Sequence, residues 1–227
     1  MYHSISDATV ADPHLLRVHP HRLEQQLRTL RRLGLRGVSL AEALQAAERG
    51  EGRGLVALTF DDGYADFVAT AMPVLAEYGM TASVYVVAGL LAGTNEWDEG
   101  PRLDLMTADE VRAAAAAGHE VGSHSTTHVP MAGLDPAELH RQVAESRRLL
   151  EEVLDAPVTG FAYPYGSWDD AAATAVADAG YTYGCVTDDY SRPHPTTLPR
   201  FYVGQPDGGL RLGVKLARSA VRLRRAV

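Results

Sequence analysis

Three short stretches of this 227-residue chain hold residues that can do chemistry together. The first is Thr59-Phe60-Asp61-Asp62-Gly63-Tyr64, where two adjacent carboxylates follow an apolar run. Side by side and near a core, two carboxylates repel each other and lose hydration, so the pair calls for a cation or a shared proton. Asp-Asp-Gly is also a common solvated turn, so this motif alone decides nothing. The second stretch is His124-Ser125-Thr126-Thr127-His128. Two imidazoles four residues apart can meet on a helical face or across a tight loop and share a metal. One Asp and two His make three protein ligands and leave positions open, which is the pattern of a catalytic metal. Only one of the two aspartates is needed as a ligand; the other is free to act as a base. The third stretch, Phe161-Ala162-Tyr163-Pro164-Tyr165-Gly166, reads as a strand ending in a tight turn whose backbone N–H groups can face a developing oxyanion.

The surrounding pattern alternates short β-rich runs with helical periodicity. Leu23, Leu27 and Leu30 are at helical spacing after Pro20, and Gly34 closes that helix. Residues 37–39, 55–60, 81–87, 120–123, 158–163, 181–186 and 198–203 read as strands. Ser39 with Glu42, and Thr107 with Glu110, are capping-box pairs that open helices. Helices are further expected over 66–78, with a kink at Pro73, over 135–154 from the Asp135-Pro136 start, and over 168–179. Alternating strands and helices predict parallel pairing with right-handed crossovers. A doubly wound sheet and a β/α barrel both fit, and both put the active site at the carboxyl ends of the strands, where the three motifs lie.

In their order and content, Thr59 to Gly63, His124 to His128 and Tyr163 to Gly166 resemble the motifs of the polysaccharide deacetylases, the NodB-homology group or carbohydrate esterase family 4. The run Ala117-Gly118-His119-Glu120-Val121-Gly122-Ser123 supports the resemblance, which spans roughly residues 1–205. It implies a single-domain, distorted (β/α)7-type barrel. It also implies a divalent metal, zinc first, with cobalt, nickel or iron as alternatives, held by Asp62, His124 and His128. Asp61 would be the base that takes a proton from metal-bound water. Tyr165 would lend its backbone N–H to the oxyanion. Many members carry the acid that protonates the leaving amine on a histidine near the C-terminus, but here no histidine follows His194. Members that look circularly permuted carry it in an N-terminal Met-Tyr-His segment, which Met1-Tyr2-His3 matches, so His3 takes that role. The family's third motif usually has an arginine that pairs with the base; here Ala162 stands in that place, and Arg200 is the candidate to replace it from another strand.

Tyr64, Trp97, Pro164 and Trp168 are candidate substrate contacts, and residues 91–105 read as a loop that shapes the pocket. His119 reads as structural, while His14, His19, His21, His140 and His194 are given no role. The reaction expected is removal of an N-acetyl group from an amino sugar or small glycoside. An O-deacetylase, a deformylase, an amidase on a non-sugar substrate, or a non-catalytic carbohydrate-binding relative would use the same residues.

Composition limits the alternatives. Hydrophobic residues make up 46% and charged residues 22%, a globular balance. The net charge of −8 makes the chain a poor binder of nucleic-acid phosphate, so no nucleic-acid partner is expected. Cys185 is alone, which excludes an internal disulfide and a multi-cysteine zinc cluster. No apolar run approaches the ~20 residues of a membrane span. Met1-Tyr2-His3 opens without a basic or apolar leader pattern, so the expected location is the cytoplasm. Residues 1–209 form the expected catalytic domain. Residues 210–227 form a basic amphipathic helix with Arg211, Lys215, Arg218, Arg222, Arg224 and Arg225 and no acidic residue. The whole chain carries −8 and this tail +6, so residues 1–209 carry −14. The tail is expected to pack on the barrel, with Leu210, Val214, Ala217 and Val221 on a separate face from most of the charges; contact with anionic lipid is the alternative.

Overall fold

The computed structural model describes residues 1–9, 11–191 and 193–226, with side chains as far as Arg222. In chain order the elements are β1 (Ser4–Ile5), β2 (Arg17–Val18), α1 (Pro20–Arg32), β3 (Arg36–Val38), α2 (Leu40–Glu48), β4 (Leu55–Ala57) and β5 (Thr59–Phe60). There follow α3 (Met72–Glu77), β6 (Ser83–Val86), α4 (Ala108–Ala116), β7 (Glu120–Ser123), α5 (Pro136–His140) and α6 (Ser146–Leu154). The chain ends with β8 (Gly160–Ala162), α7 (Asp170–Asp178), β9 (Tyr183–Thr187), β10 (Leu198–Arg200) and α8 (Gly209–Ala226).

Six strands form one parallel sheet in the order β10-β9-β8-β7-β6-β5, so consecutive strands are neighbours throughout. β1 pairs with β2, and β3 with β4, in two small parallel ladders. The result is a single α/β domain built on a curled half-barrel sheet, rather than seven matched strand–helix units. The expected strand over 55–60 is split for a definite reason. Residues 55–57 ladder with β3 and residues 59–60 with β6, while Leu58 bonds both ways: its N–H donates to Val38 O at 2.9 Å and its carbonyl accepts from Ser83 N at 2.9 Å.

The gap between β5 and the chain after β10 is spanned by the first two residues. Tyr2 N donates to Thr59 O at 2.8 Å, and Asp61 N donates to Tyr2 O at 2.9 Å. On the other side Val203 N donates to Met1 O at 2.9 Å. The Tyr2 ring stacks on Phe60 at 5.1 Å. His3 therefore follows a paired and buried residue.

Local signals place the helices. The side chain of Ser39 accepts from Glu42 N, and Thr107 with Glu110 forms a complete capping box. Asp135 caps Ala137 N and Glu138 N, each at 3.0 Å. In α1, Leu23, Leu27 and Leu30 are all buried, each such burial being worth roughly 1.5–3 kcal/mol. The long helix expected over 135–154 contains a π-helical turn at Arg141–Glu145, and the one over 66–78 begins with another at Phe67–Ala71. α8 packs through Leu212 and Leu216; Leu210, Val214, Ala217 and Val221 lie on its exposed side.

Candidate active site

The three motifs converge at the carboxyl ends of β5, β7 and β8. β5 ends at Phe60 and delivers Asp61 and Asp62; β7 ends at Ser123 and delivers His124; β8 ends at Ala162 and delivers the Tyr163–Gly166 turn. The turns are tight enough to need left-handed backbone. Asp62 has φ 71°, Ser125 66°, His128 59° and Tyr165 58°, half of the non-glycine residues with positive φ among those described. Such conformations cost on the order of 1–3 kcal/mol each and persist where surrounding structure imposes them. At Gly63 (φ 70°) an added Cβ would lie 3.1 Å from Val86 Cα, so glycine is needed for the close pass over β6.

Asp62 Oδ1 is 3.3 Å from His124 Nε2 and 3.2 Å from His128 Nε2, and all three side chains are buried. One ligand atom from each lies within 4.8 Å of the others. His124 Nδ1 donates to Ala162 O at 2.7 Å, which fixes the tautomer and turns the Nε2 lone pair toward Asp62. A carboxylate oxygen and imidazole lone pairs facing one another from this distance repel unless a cation or proton sits among them. This donor set, one oxygen and two nitrogens, fits a divalent transition metal. With protons rather than a cation between them, burial pushes the Asp62 carboxyl up, but hydrogen bonds from His124 and His128 outweigh that and hold it well below the usual carboxylate range. For His124 burial favours the neutral form, yet the Asp62 hydrogen bond and the Asp61 charge raise it overall. For His128 burial prevails and lowers it.

Asp61 is turned the other way. Arg200 grips it with Nη1–Oδ1 at 2.7 Å and Nη2–Oδ2 at 2.8 Å, and Nη1 also donates to Thr59 Oγ1 at 3.0 Å. The guanidinium lies over the Tyr85 ring, 5.3 Å from its centroid. Burial alone would raise the Asp61 carboxyl, but the Arg200 charge and hydrogen bonds leave it below its ordinary value and ionised. His3 lines the same cavity as Asp61, Asp62, His124, His128 and Tyr165, a space of about 220 Å3. Its Nδ1 is buried without a partner. Burial lowers its pKa, against the opposing pull of Asp62 and Asp61.

The expected substrate contacts divide. Trp97 stacks on His128 at 4.3 Å, and Tyr165 meets the same ring edge-on at 4.7 Å. Tyr64 is buried behind the cavity, facing the adjoining depression with Asn95 and Asp98, and burial beside Asp62 pushes its hydroxyl up. Pro164 is buried at the start of the Pro164–Gly166 turn and does not line the cavity. Trp168 is outside the site; its Nε1 donates to Asp189 Oδ2 at 3.2 Å, and it borders a separate depression with Asp170 and His194.

Sequence reasoning missed three contributors. His14, given no role, lines the cavity, with Nε2 donating to Glu99 O at 3.2 Å. Asp98 also lines it, 3.4 Å from the Tyr165 hydroxyl. Gln142, buried in the π-helical turn, accepts from Thr126 N at 3.1 Å and Thr127 N at 3.0 Å and so holds the loop between the two histidines. No motif marks His14 or Gln142; the only signal for Asp98 is its place beside Trp97. His119 is structural as expected, with Nδ1 accepting from Ala82 N at 3.2 Å.

At the carboxyl edge of a parallel α/β sheet, an Asp-His-His group that could hold a metal ion lies beside a second, arginine-held aspartate. A sequence model described as polysaccharide deacetylase matches residues 48–184, and the chain belongs to that family. Bacillus subtilis YxkH is 27% identical over 190 residues, which cover 83% of this chain and 63% of that protein. A chitooligosaccharide deacetylase of Sinorhizobium fredii is 32% identical over 149 residues, 63% of each chain. The chain thus spans about three fifths of the length of these curated relatives. Among solved structures, the Streptococcus pyogenes deacetylase PplD superposes with a TM-score of 0.80 at 23% identity, covering 94% of this chain and 95% of that one, and shares the fold.

Proposed function

We propose that the protein is a hydrolase that removes an N-acetyl group from an amino sugar, with a divalent cation held by Asp62, His124 and His128. The observation that carries this reading is a division of labour between neighbours: Asp62 faces two imidazoles, while Asp61 is held apart and ionised by Arg200. A bound divalent ion at the first group supplies Lewis-acid polarisation of the amide carbonyl and acidifies water. Imidazole and carboxylate donors suit zinc first, with cobalt, nickel and iron as alternatives.

The chain's own residues account for the protons. Arg200 occupies one lone-pair direction on each Asp61 oxygen and leaves the others free, so Asp61 accepts a proton from the attacking water. His3, protonated, gives its proton to the departing amine nitrogen. The water oxygen bonds to the acyl carbon, the C–N bond breaks, and acetic acid and a neutral amine result; the acetic-acid proton passes to the released amine, and solvent takes the proton from Asp61 and returns one to His3. The Tyr165 backbone N–H, on a turn set at φ 58°, serves as the oxyanion donor. The cavity is smaller than the ~300–1,000 Å3 of pockets for drug-sized ligands, so it suits one sugar ring with its acetamide. Trp97 and Tyr165 supply aromatic surface beside it.

The test is acetate release from N-acetylglucosamine, chitooligosaccharides, O-acetyl sugars and acylated non-sugar amines, with elemental analysis of the purified protein. Release from N-acetyl sugars is expected to disappear on chelation and return with zinc. Asp61→Asn is expected to keep its metal and lose activity by about 10²–10⁴-fold. A metal-replete protein with no turnover of any N-acetyl sugar, or a fully active Asp61→Asn, would overturn the proposal.

A further inference from the structure

Helix α8 has two apolar faces, and only one is used. Leu212 is 2% exposed, and Leu216 packs against the core beside it. Leu210, Val214, Ala217 and Val221 recur at i, i+4, i+7 and i+11, which places them together on the opposite side. Leu210 is 86% exposed, Val214 43% and Val221 49%. Only six large apolar side chains stand exposed among the described residues, and these three share one helix.

The charge on this helix is of one sign. α8 contains no acidic residue. Arg211 and Lys215 neutralise buried Asp207, with Arg211 Nε–Oδ1 at 2.8 Å and Lys215 Nζ–Oδ2 at 2.6 Å, which pins the start of the helix to the body. Arg218 and Arg222 are exposed next to the apolar stripe, Arg222 with its guanidinium over the Tyr190 ring at 5.2 Å. The cations sit on a body that otherwise carries −14, so the basic surface is local.

We infer that the outer face of α8 docks the protein on an anionic phospholipid surface. The stripe enters the boundary between headgroups and acyl chains, and the flanking arginines meet lipid phosphates with their stems along the apolar layer. Charge complementarity selects this occupant. A second copy of α8 would bring arginines of like sign together around a stripe of few side chains. Nucleic acid would satisfy the arginines and leave Leu210, Val214 and Val221 in water. The contact is peripheral, since no helix among the described residues is long and apolar enough to cross a membrane. It is independent of the hydrolytic reading.

The experiment is co-sedimentation of the full chain with vesicles of phosphatidylcholine alone and of phosphatidylcholine with phosphatidylglycerol, at low and high salt. Binding is expected only with phosphatidylglycerol and is expected to fall with salt. Arg218→Glu should weaken it by at least about five-fold, the worth of one basic residue at an anionic surface. Val214→Asp should abolish it, with circular dichroism, melting temperature and turnover of a soluble N-acetyl sugar unchanged because the side chain faces solvent. Failure to bind anionic vesicles, or undiminished binding by Val214→Asp, overturns the inference. So does a dimer that Val214→Asp dissociates in the absence of lipid binding, which assigns the face to a second copy. Salt-dependent binding of duplex DNA that Val214→Asp leaves intact, without lipid binding, overturns it in favour of a phosphate-only contact.

Discussion

Arg200 and Asp61, 139 residues apart in sequence, form a two-pronged ion pair in which both partners are buried. The pair joins the last strand of the sheet to the first, so it belongs to the architecture as well as to the proposed chemistry. Removing one buried charge strands the other, at a cost of about 3–5 kcal/mol. Arg200→Met is therefore expected to lower unfolding free energy in urea by that order. Adding Asp61→Asn should restore a large part of it, although neither variant should hydrolyse amide. Equal stability of the single and double variants would show that the two groups do not depend on each other.

The proposed role of His3 separates by leaving group. His3→Gln should lose most of its activity on N-acetyl sugars, whose amine cannot depart unprotonated. An aryl acetate, whose phenolate leaves without a proton, should be cleaved at nearly the original rate. Equal losses on both substrates would move His3 from proton donor to structural prop. The pairing of Tyr2 with Thr59 and Asp61 is made by backbone atoms, so the substitution should leave the fold intact.

Trp97 touches the centre through a proposed ligand, stacked on the His128 ring. Trp97→Ala frees that ring to rotate, and supporting contacts of this sort are worth about 10–100-fold in metal affinity. Competition with a chromophoric chelator should report a loss of that size. Turnover at saturating metal should fall less than affinity does. Unchanged affinity would confine Trp97 to substrate.

His119 gives a pH signature away from the centre. Burial lowers its pKa below the ordinary 6.5, and in its neutral form it accepts from Ala82 N. Between its folded-state value and 6.5 the unfolded chain holds more protons, so stability rises with pH through that window and is lost on acidification. The slope from one such group is at most about 1.4 kcal/mol per pH unit. His119→Gln, which keeps an acceptor for Ala82, should lose less stability than the original chain between pH 7.5 and 5.5, as read from urea midpoints. Parallel pH curves for the two proteins would exclude His119 as a source of acid sensitivity.

What the sequence disclosed depended on how local the cause was. The caps at Ser39, Thr107 and Asp135 act within one turn, so their helices were legible. A group of one aspartate and two histidines, His124 and His128, was legible because unusual residue types are crowded at strand ends, while the choice of Asp62 over Asp61 came only from the resemblance to the polysaccharide deacetylases. Arg200 could be anticipated only from a position left empty, Ala162. The bridging of the sheet by Met1 and Tyr2 was not legible, because backbone hydrogen bonds across long separations have no residue signature. The same holds for Gln142, which owes its role to a π-helical turn. In α8 the regular stripe is Leu210, Val214, Ala217 and Val221, yet the pair packed on the core is Leu212 and Leu216. Periodicity finds apolar faces and cannot say which of two is covered.

The left-handed backbone at Asp62, Ser125, His128 and Tyr165 has an evolutionary corollary. Glycine would relax each of those bends, and at three of the four it would also delete a side chain that lines the cavity. Drift toward an easier chain and drift away from a working centre thus run along the same mutational steps. Screening variants for heat resistance without assaying turnover is expected to enrich proteins that melt later and catalyse nothing.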